Sequence, residues 1–327
     1  MPQILVEGLV KTYRVAERRP GVWGALHGLV RRAYREVRAL DGVSFSIEAG
    51  EIVGYIGPNG AGKSSTVKVL SGILTPDAGR VEVAGRVPWL ERAAHVAGIG
   101  VVFGQRTQLW WDLPVVESFE LLGAIYRVPE AERLRRQAEL TERLELGALL
   151  DTPVRQLSLG QRMRCDLAAS LLHAPSILFL DEPTIGLDAS AKLAVRDFVK
   201  RLNRERGVTV ILTTHDMDDI EALCSRVMLI DRGRMLRDGS MAALREEGQG
   251  ERRLVVDLED EQTEVADADA RVVARDGHRV TLHYDPRRVP TAHLIARIAA
   301  RHALRDLFVE HPPIEEWIAR LYREARA

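Results

Sequence analysis

Cysteine is almost missing from this chain: Cys165 and Cys224 stand far apart, and neither has a second ligand pair beside it. That excludes a disulfide framework and a paired-cysteine zinc site, and a reducing compartment fits. Long apolar runs are missing as well. The longest stretches, such as residues 176–180 and 208–212, are strand-length and far below the roughly 20 residues of a membrane-spanning helix. The opening residues have no leader pattern, so the expectation is a chain without a signal peptide that does not cross a bilayer by itself. An excess of one charge is also lacking. With 46 Lys and Arg against 47 Asp and Glu, the net charge of −1 removes the basic balance of a protein that lives on phosphate backbones, and no nucleic acid partner is expected. What remains, 46% hydrophobic and 28% charged residues without long runs of one type, is ordinary globular composition. A chain of 327 residues has room for one large domain and one small one.

Residues 3–10 read as a strand leading into Lys11-Thr12-Tyr13, after which an arginine-rich stretch breaks the pattern. Within it Trp23, Leu26, Val30, Ala33, Tyr34 and Val37 recur at helical spacing, while Arg31, Arg32, Arg35 and Arg38 fall mostly on other sides. This predicts a basic amphipathic helix in an insert over residues 15–38, either packed on its own domain or in contact with a membrane surface or partner. Residues 43–47 and 51–56 are strand formers, and the second run enters a glycine loop, where α/β proteins place ligands. Residues 117–143 and 161–172 have helical periodicity, and residues 177–180 and 208–213 are the apolar runs of buried parallel strands. The expectation is a parallel αβα core over residues 1–245 with an all-helical insert at about residues 106–170. Glu246-Glu247-Gly248-Gln249-Gly250-Glu251 has linker character and opens a second unit, residues 246–327. Strand-like segments 254–258, 271–273 and 279–283 and helical segments 290–302 and 314–324 predict a small α+β domain there.

Gly57-Pro58-Asn59-Gly60-Ala61-Gly62-Lys63-Ser64, followed by Ser65, fits a phosphate-binding loop between a strand and a helix. The glycines let backbone N–H groups wrap phosphates, and the helix N-terminus adds a positive dipole. Lys63 is expected to neutralise the β and γ phosphates and Ser64 to give its hydroxyl to Mg²⁺, a hard cation that takes oxygen ligands. The apolar run Ile177-Leu178-Phe179-Leu180 ends in Asp181-Glu182, which puts carboxylates where a buried strand emerges beside that loop. Asp181 is expected to hold Mg²⁺ through water, and Glu182 to act as general base on the attacking water. The plainer reading of the acidic pair is a cap on the helix after Pro183.

Leu157-Ser158-Leu159-Gly160-Gln161 resembles the signature sequence of ABC (ATP-binding cassette) ATPases, with Leu159 where most members have glycine. In that family the segment opens a helix and contacts the γ-phosphate held by the opposite subunit, so the resemblance implies nucleotide contacts for Ser158, Gly160 and Gln161. Asn-Lys-x-Asp, by which GTPases choose guanine, is absent, and ATP is the expected nucleotide. Further resemblances fall in family order. Tyr13 is similar to the aromatic residue that stacks on adenine, with Tyr34 as the alternative; Gln105 to the glutamine that senses Mg²⁺; Asp188 to the dimer-interface aspartate; and His215 to the histidine on the γ-phosphate. The family also implies a RecA-like core with a small antiparallel β subdomain, and a dimer around two ATP. Trp110 and Trp111 suit the groove that receives a membrane subunit, or belong to the core of the helical insert.

Within the family the chain resembles the ATP-binding subunits of bacterial exporters whose polytopic membrane subunits are separate chains. Residues 57–64, 105–113 and 181–188 carry this, together with the closing Pro313-Ile314-Glu315-Glu316-Trp317. The resemblance implies ATP hydrolysis coupled to transport at the cytoplasmic face of the cell membrane. An importer subunit, or a soluble ABC ATPase working on ribosomes or DNA, are the other readings; the second cassette, long coiled coil or zinc hook of the latter is not visible in the sequence.

Overall fold

The computed structural model describes residues 2–16, 34–104, 106–248, 252–261, 263–310 and 314–325. Two compact units divide the chain, Met1–Gly239 and Ser240–Ala327.

In the first unit, strands β1 (Ile4–Ala16), β2 (Tyr34–Ile47), β3 (Ile52–Ile56), β4 (Ala78–Val83), β5 (Ile99–Phe103), β6 (Ile177–Asp181), β7 (Thr209–Thr213), β8 (Arg226–Asp231) and β9 (Arg234–Ser240) form two sheets. The smaller is antiparallel in the order β2-β1-β4. The larger has the order β5-β6-β7-β3-β8-β9, and its pairs from β5 to β8 are parallel. All five residues of β3 and of β7 are buried, as continuous apolar runs require when a parallel sheet is covered on both faces. Parallel pairing brings the C-terminal ends of β3, β5, β6 and β7 to one edge. There Phe103 pairs with Asp181 and Asp181 with Thr213, while Tyr55, one residue before the end of β3, also faces Thr213. An open parallel sheet binds its ligands at this edge.

The helices of this unit are α1 (Lys63–Leu70), α2 (Arg92–Val96), α3 (Val115–Ile125), α4 (Glu130–Arg143), α5 (Leu159–Leu171), α6 (Ala189–Arg206) and α7 (Met217–Leu223). The helical stretch expected over residues 117–143 is split in two: Arg127 takes a left-handed backbone (φ 54°) and Pro129 precedes α4. Helices α3, α4 and α5 bury Phe119, Leu122, Leu140, Met163 and Leu167.

The end of the predicted amphipathic helix, residues 34–38, is corrected by β2. Tyr34, Arg35, Val37 and Arg38 lie in an extended strand whose partners on β1 are Ala16, Val15, Tyr13 and Thr12. Cross-strand hydrogen bonding to β1 outweighs the helical spacing, and further along the same strand buried Val43, Phe45 and Ile47 alternate with the less buried Gly42, Ser44 and Ser46 in the two-residue period of a strand. Trp23, Leu26, Val30, Arg31, Arg32 and Ala33 lie outside the described residues.

The second unit holds α8 (Met241–Gly248), β10 (Arg252–Leu258), β11 (Ala270–Asp276), β12 (Arg279–Tyr284), α9 (Thr291–Arg301), β13 (Leu304–Glu310) and α10 (Ile314–Glu324). Its sheet is antiparallel, ordered β11-β12-β10-β13. One face packs Leu254, Val256, Val280, Leu282 and Tyr284 against Leu294 and Ile298 of α9. Strand β13 has no counterpart in the sequence reading. It is an edge strand whose residues are mostly exposed, with Leu304 and Leu307 on the core, so its buried alternation is too sparse to stand out.

Candidate active site

The loop after β3 owes its path to three glycines. Gly60 and Gly62 have φ of 81° and 113°, in the left-handed half of backbone space that side chains avoid. A Cβ on Gly57 would sit 2.4 Å from the carbonyl oxygen of Ile230, and one on Gly62 2.6 Å from that of Ala39. With nowhere to shift, the loop can approach its neighbours only without side chains at these points. Helix α1 then begins at Lys63, whose buried side chain turns back so that Nζ donates to Gly57 O at 2.6 Å and Pro58 O at 3.3 Å. Burial pulls the Lys63 pKa down, and the charges of Glu182 and Asp181 oppose that pull. Ala61, next to Gly62, is buried against the core, and Ser65, one residue beyond Ser64, accepts or donates a 3.2 Å hydrogen bond with the Tyr13 hydroxyl. Tyr34 lies three ladder positions further out on the ribbon and is 55% exposed.

Ser64 Oγ donates to Asp181 Oδ1 at 3.3 Å, and the Thr213 hydroxyl donates to the same oxygen. Glu182 turns sharply out of β6 at φ 55°, with its N–H on Thr213 O at 2.8 Å. A non-glycine residue held there is strained, as side chains at reactive sites often are. Gly104 makes room for the turn: a Cβ on it would lie 2.0 Å from Glu182 O. His215 Nδ1 is 3.3 Å from Glu182 Oε2. A cavity of about 730 Å³ is lined by Gly57, Pro58, Asn59, Ser64, Asp181, Glu182 and His215, with Arg106 and Lys68 on its wall. It gathers phosphate-loop backbone, a hydroxyl, two carboxylates and an imidazole, the parts of a phosphoryl-transfer site.

Ser158, Gly160 and Gln161 are not among the residues lining this cavity. They open α5, where Ser158 Oγ accepts from Gln161 N at 3.2 Å and Gln161 Oε1 accepts from Ser158 N at 2.9 Å, a reciprocal capping box. Leu159, the departure from the glycine that most members of the resembled family have, packs toward Gly186, on which a Cβ would stand 2.7 Å from Leu159 Cδ2. Asp188 caps α6, accepting from Ala191 N at 2.8 Å. Gln105 lies outside the described residues.

The family profile described as ABC transporter matches residues 40–185, which run from Leu40 within β2 through the phosphate loop to Ile185, just past Glu182. The daunorubicin/doxorubicin resistance ATP-binding protein DrrA of Streptomyces peucetius is 37% identical over 271 residues, covering 83% of this chain and 79% of DrrA. This chain belongs to the ABC transporter ATP-binding family. The methionine import ATP-binding protein MetN of Thermobifida fusca is 37% identical over 218 residues, covering 65% of this chain and 68% of MetN. Among solved structures, a dimeric ATP-binding cassette in a post-hydrolysis state with ADP and Pi superposes with TM-score 0.61 at 28% identity, over 73% of this chain and 98% of that one. The protein is thus an ABC ATPase with the P-loop α/β fold. Among the described residues no helix is long and apolar enough to cross a membrane.

Two features of this ABC ATPase escaped the sequence reading. Asp219 is fully buried between Thr184, whose hydroxyl donates to it, and Arg196, whose Nε donates at 2.5 Å, so the segment after Glu182 is tied to α6 and α7. Asp166 is buried in α5 and holds the segment after β5. Both are carboxylates on helices, where solvated positions are the rule, and only their depth distinguishes them.

Proposed function

We propose that this ATPase subunit drives export through separate membrane-spanning chains, working at the cytoplasmic face of the membrane as a dimer around two Mg-ATP. One observation carries the dimer: Ser64, Asp181, Glu182 and His215 line one cavity while the signature residues Ser158, Gly160 and Gln161 stand apart at the start of α5. A second copy supplies the signature side of each nucleotide.

Tyr13, beside Ser65, stacks on the adenine ring. Lys63 exchanges the carbonyls of Gly57 and Pro58 for the β and γ phosphate oxygens, and the loop N–H groups hold the rest of the chain of phosphates. Ser64 and Asp181 present oxygen atoms 3.3 Å apart, the donor type a hard cation takes, and with Gln105 would hold Mg²⁺. When bound, the ion neutralises charge on the β and γ phosphates. Glu182 takes the proton of the water that attacks the γ-phosphorus as the bond to the ADP oxygen breaks. His215 steadies that carboxylate and meets the γ-phosphate.

The export reading is supported by the reach of the DrrA match. Its 271 residues exceed the whole of Met1–Gly239 and so run into the second unit. The test has two parts. Glu182→Gln is expected to keep ATP affinity, to lower turnover by about 100-fold or more, and to leave an ATP-bound dimer visible by light scattering; turnover at the parent rate would remove the general base. Purifying the tagged chain from its own cells in mild detergent is expected to bring polytopic membrane chains with it, and ribosomal or DNA-bound material without them would overturn the transport reading.

A further inference from the structure

Between the nucleotide cavity and the exposed Trp110 and Trp111 runs a short segment, residues 106–111, that belongs to no helix or strand. Its conformation is set from outside. The Asp166 side chain, on α5 and only 4% exposed, receives two hydrogen bonds on Oδ1, from Thr107 Oγ1 at 2.9 Å and Gln108 N at 3.0 Å. Gln108 Nε2 returns to the Asp166 carbonyl at 3.0 Å, and Thr107 Oγ1 accepts from Leu109 N at 3.1 Å. Trp110 N donates to Ser118 Oγ on α3 at 3.2 Å. One helical turn before Asp166, the Arg162 guanidinium stands 5.6 Å from the Trp111 ring centre, within cation–π reach. A cavity of about 190 Å³ lies against Asp166, Arg106 and Phe103, and the last two also line the nucleotide cavity, so the two spaces share a wall.

We propose that Asp166 is a positioning residue that ties the rim of the nucleotide cavity to the signature helix, so that Arg106, Trp110 and Trp111 follow the movement of α5. This rests on the ATPase site described above and goes beyond it: the tie joins the wall of the nucleotide cavity, the signature helix and the exposed tryptophans through one carboxylate. Asp166 has no ion-pair partner among the described residues, and burial pushes its pKa up to about 6 against the Gln108 and Thr107 hydrogen bonds and the pull of Arg162. A buried, unpaired carboxylate works against folding, so its value lies in what it holds in register.

The test uses the full chain, with steady-state ATPase rates and equilibrium ATP binding measured side by side. Asp166→Ala removes the acceptor and is expected to lower turnover at least tenfold while the ATP Kd stays within about twofold, because the phosphate loop is untouched. Asp166→Asn keeps an acceptor oxygen and is expected to stay within about threefold of the parent rate. Thr107→Val removes the donor from the other side and is expected to fall as Asp166→Ala does, with the double variant no slower than either single one. Equal losses in Asp166→Asn and Asp166→Ala, a parent rate in Asp166→Ala, or turnover and affinity declining together in both Asp166→Ala and Thr107→Val would overturn the proposal. Should Asp166→Ala fail to fold, Thr107→Val and Asp166→Asn decide it by the same criteria. Glu182→Gln run alongside separates the two readings: if it turns over at the parent rate, the general-base assignment is at fault and not the tie.

Discussion

At the scale of single residues, the site is built from positions where only one side chain fits the geometry. Gly57 and Gly104 are forced by carbonyl oxygens 2.4 and 2.0 Å from where a Cβ would stand, and Glu182, whose carboxylate meets His215, occupies a left-handed backbone at the end of β6. Asp166 gives this scale its pH dependence. Its folded pKa of about 6 lies above the usual 3.8, so the folded chain holds that proton more tightly than the unfolded chain. Stability from this group is therefore full below about pH 4, declines as pH rises toward 6, and stays reduced above it, by an amount on the order of 3 kcal/mol. The groups facing the carboxylate are Thr107 and Gln108 from the segment after β5, and Arg162 and the buried Cys165 thiol of its own helix. Asp166→Asn does not titrate. The stability of this variant minus that of the parent, from urea denaturation at steps between pH 4 and 7, is expected to rise with pH and level off above 6; a flat difference would mean that the buried carboxylate carries no such shift.

At the scale of elements, the start of α5 carries a motif proposed for nucleotide contact that also has a structural job. The serine and glutamine of the signature segment are spaced S-x-x-Q, which is also the spacing of a capping box, and in the single chain that is what they form. Ser158→Ala is expected to cost about 1 kcal/mol of stability, seen as a lower urea midpoint with an unchanged slope, and Ser158→Thr to restore most of it. Legibility differed among elements for a physical reason. The buried parallel strands and the phosphate loop depend on nearest neighbours in sequence, so apolar runs and glycine spacing revealed them. The β1–β2 ribbon depends on pairing between residues far apart, such as Tyr13 with Val37, and helical spacing of Tyr34 and Val37 was a poorer guide than the strand available beside them.

At the scale of the molecule, the first unit has two sheets and the second has one, and each unit has its own apolar core. The Ser240–Ala327 unit closes its core with Leu254, Val256, Leu282, Tyr284, Leu294 and Ile298, all from within itself. Expressed alone, residues 240–327 are expected to unfold in one cooperative transition by circular dichroism, and residues 1–239 to bind ATP with an affinity within about threefold of the full chain. A gradual, non-cooperative melt of the isolated second unit would show that its core needs the rest of the chain.

The sequence by itself determined the family: a glycine loop ending in Lys63-Ser64, carboxylates at the end of an apolar strand and a segment that resembles the signature sequence add up to an ABC ATPase. These are local because wrapping a phosphate or ending a strand in a carboxylate takes a few consecutive residues. Tertiary structure alone decided which distant groups meet. It brought His215 to Glu182, Tyr13 to Ser65 and Asp166 to Thr107, through the parallel strand order and the packing of α5, because burial and pairing are properties of elements assembled in space.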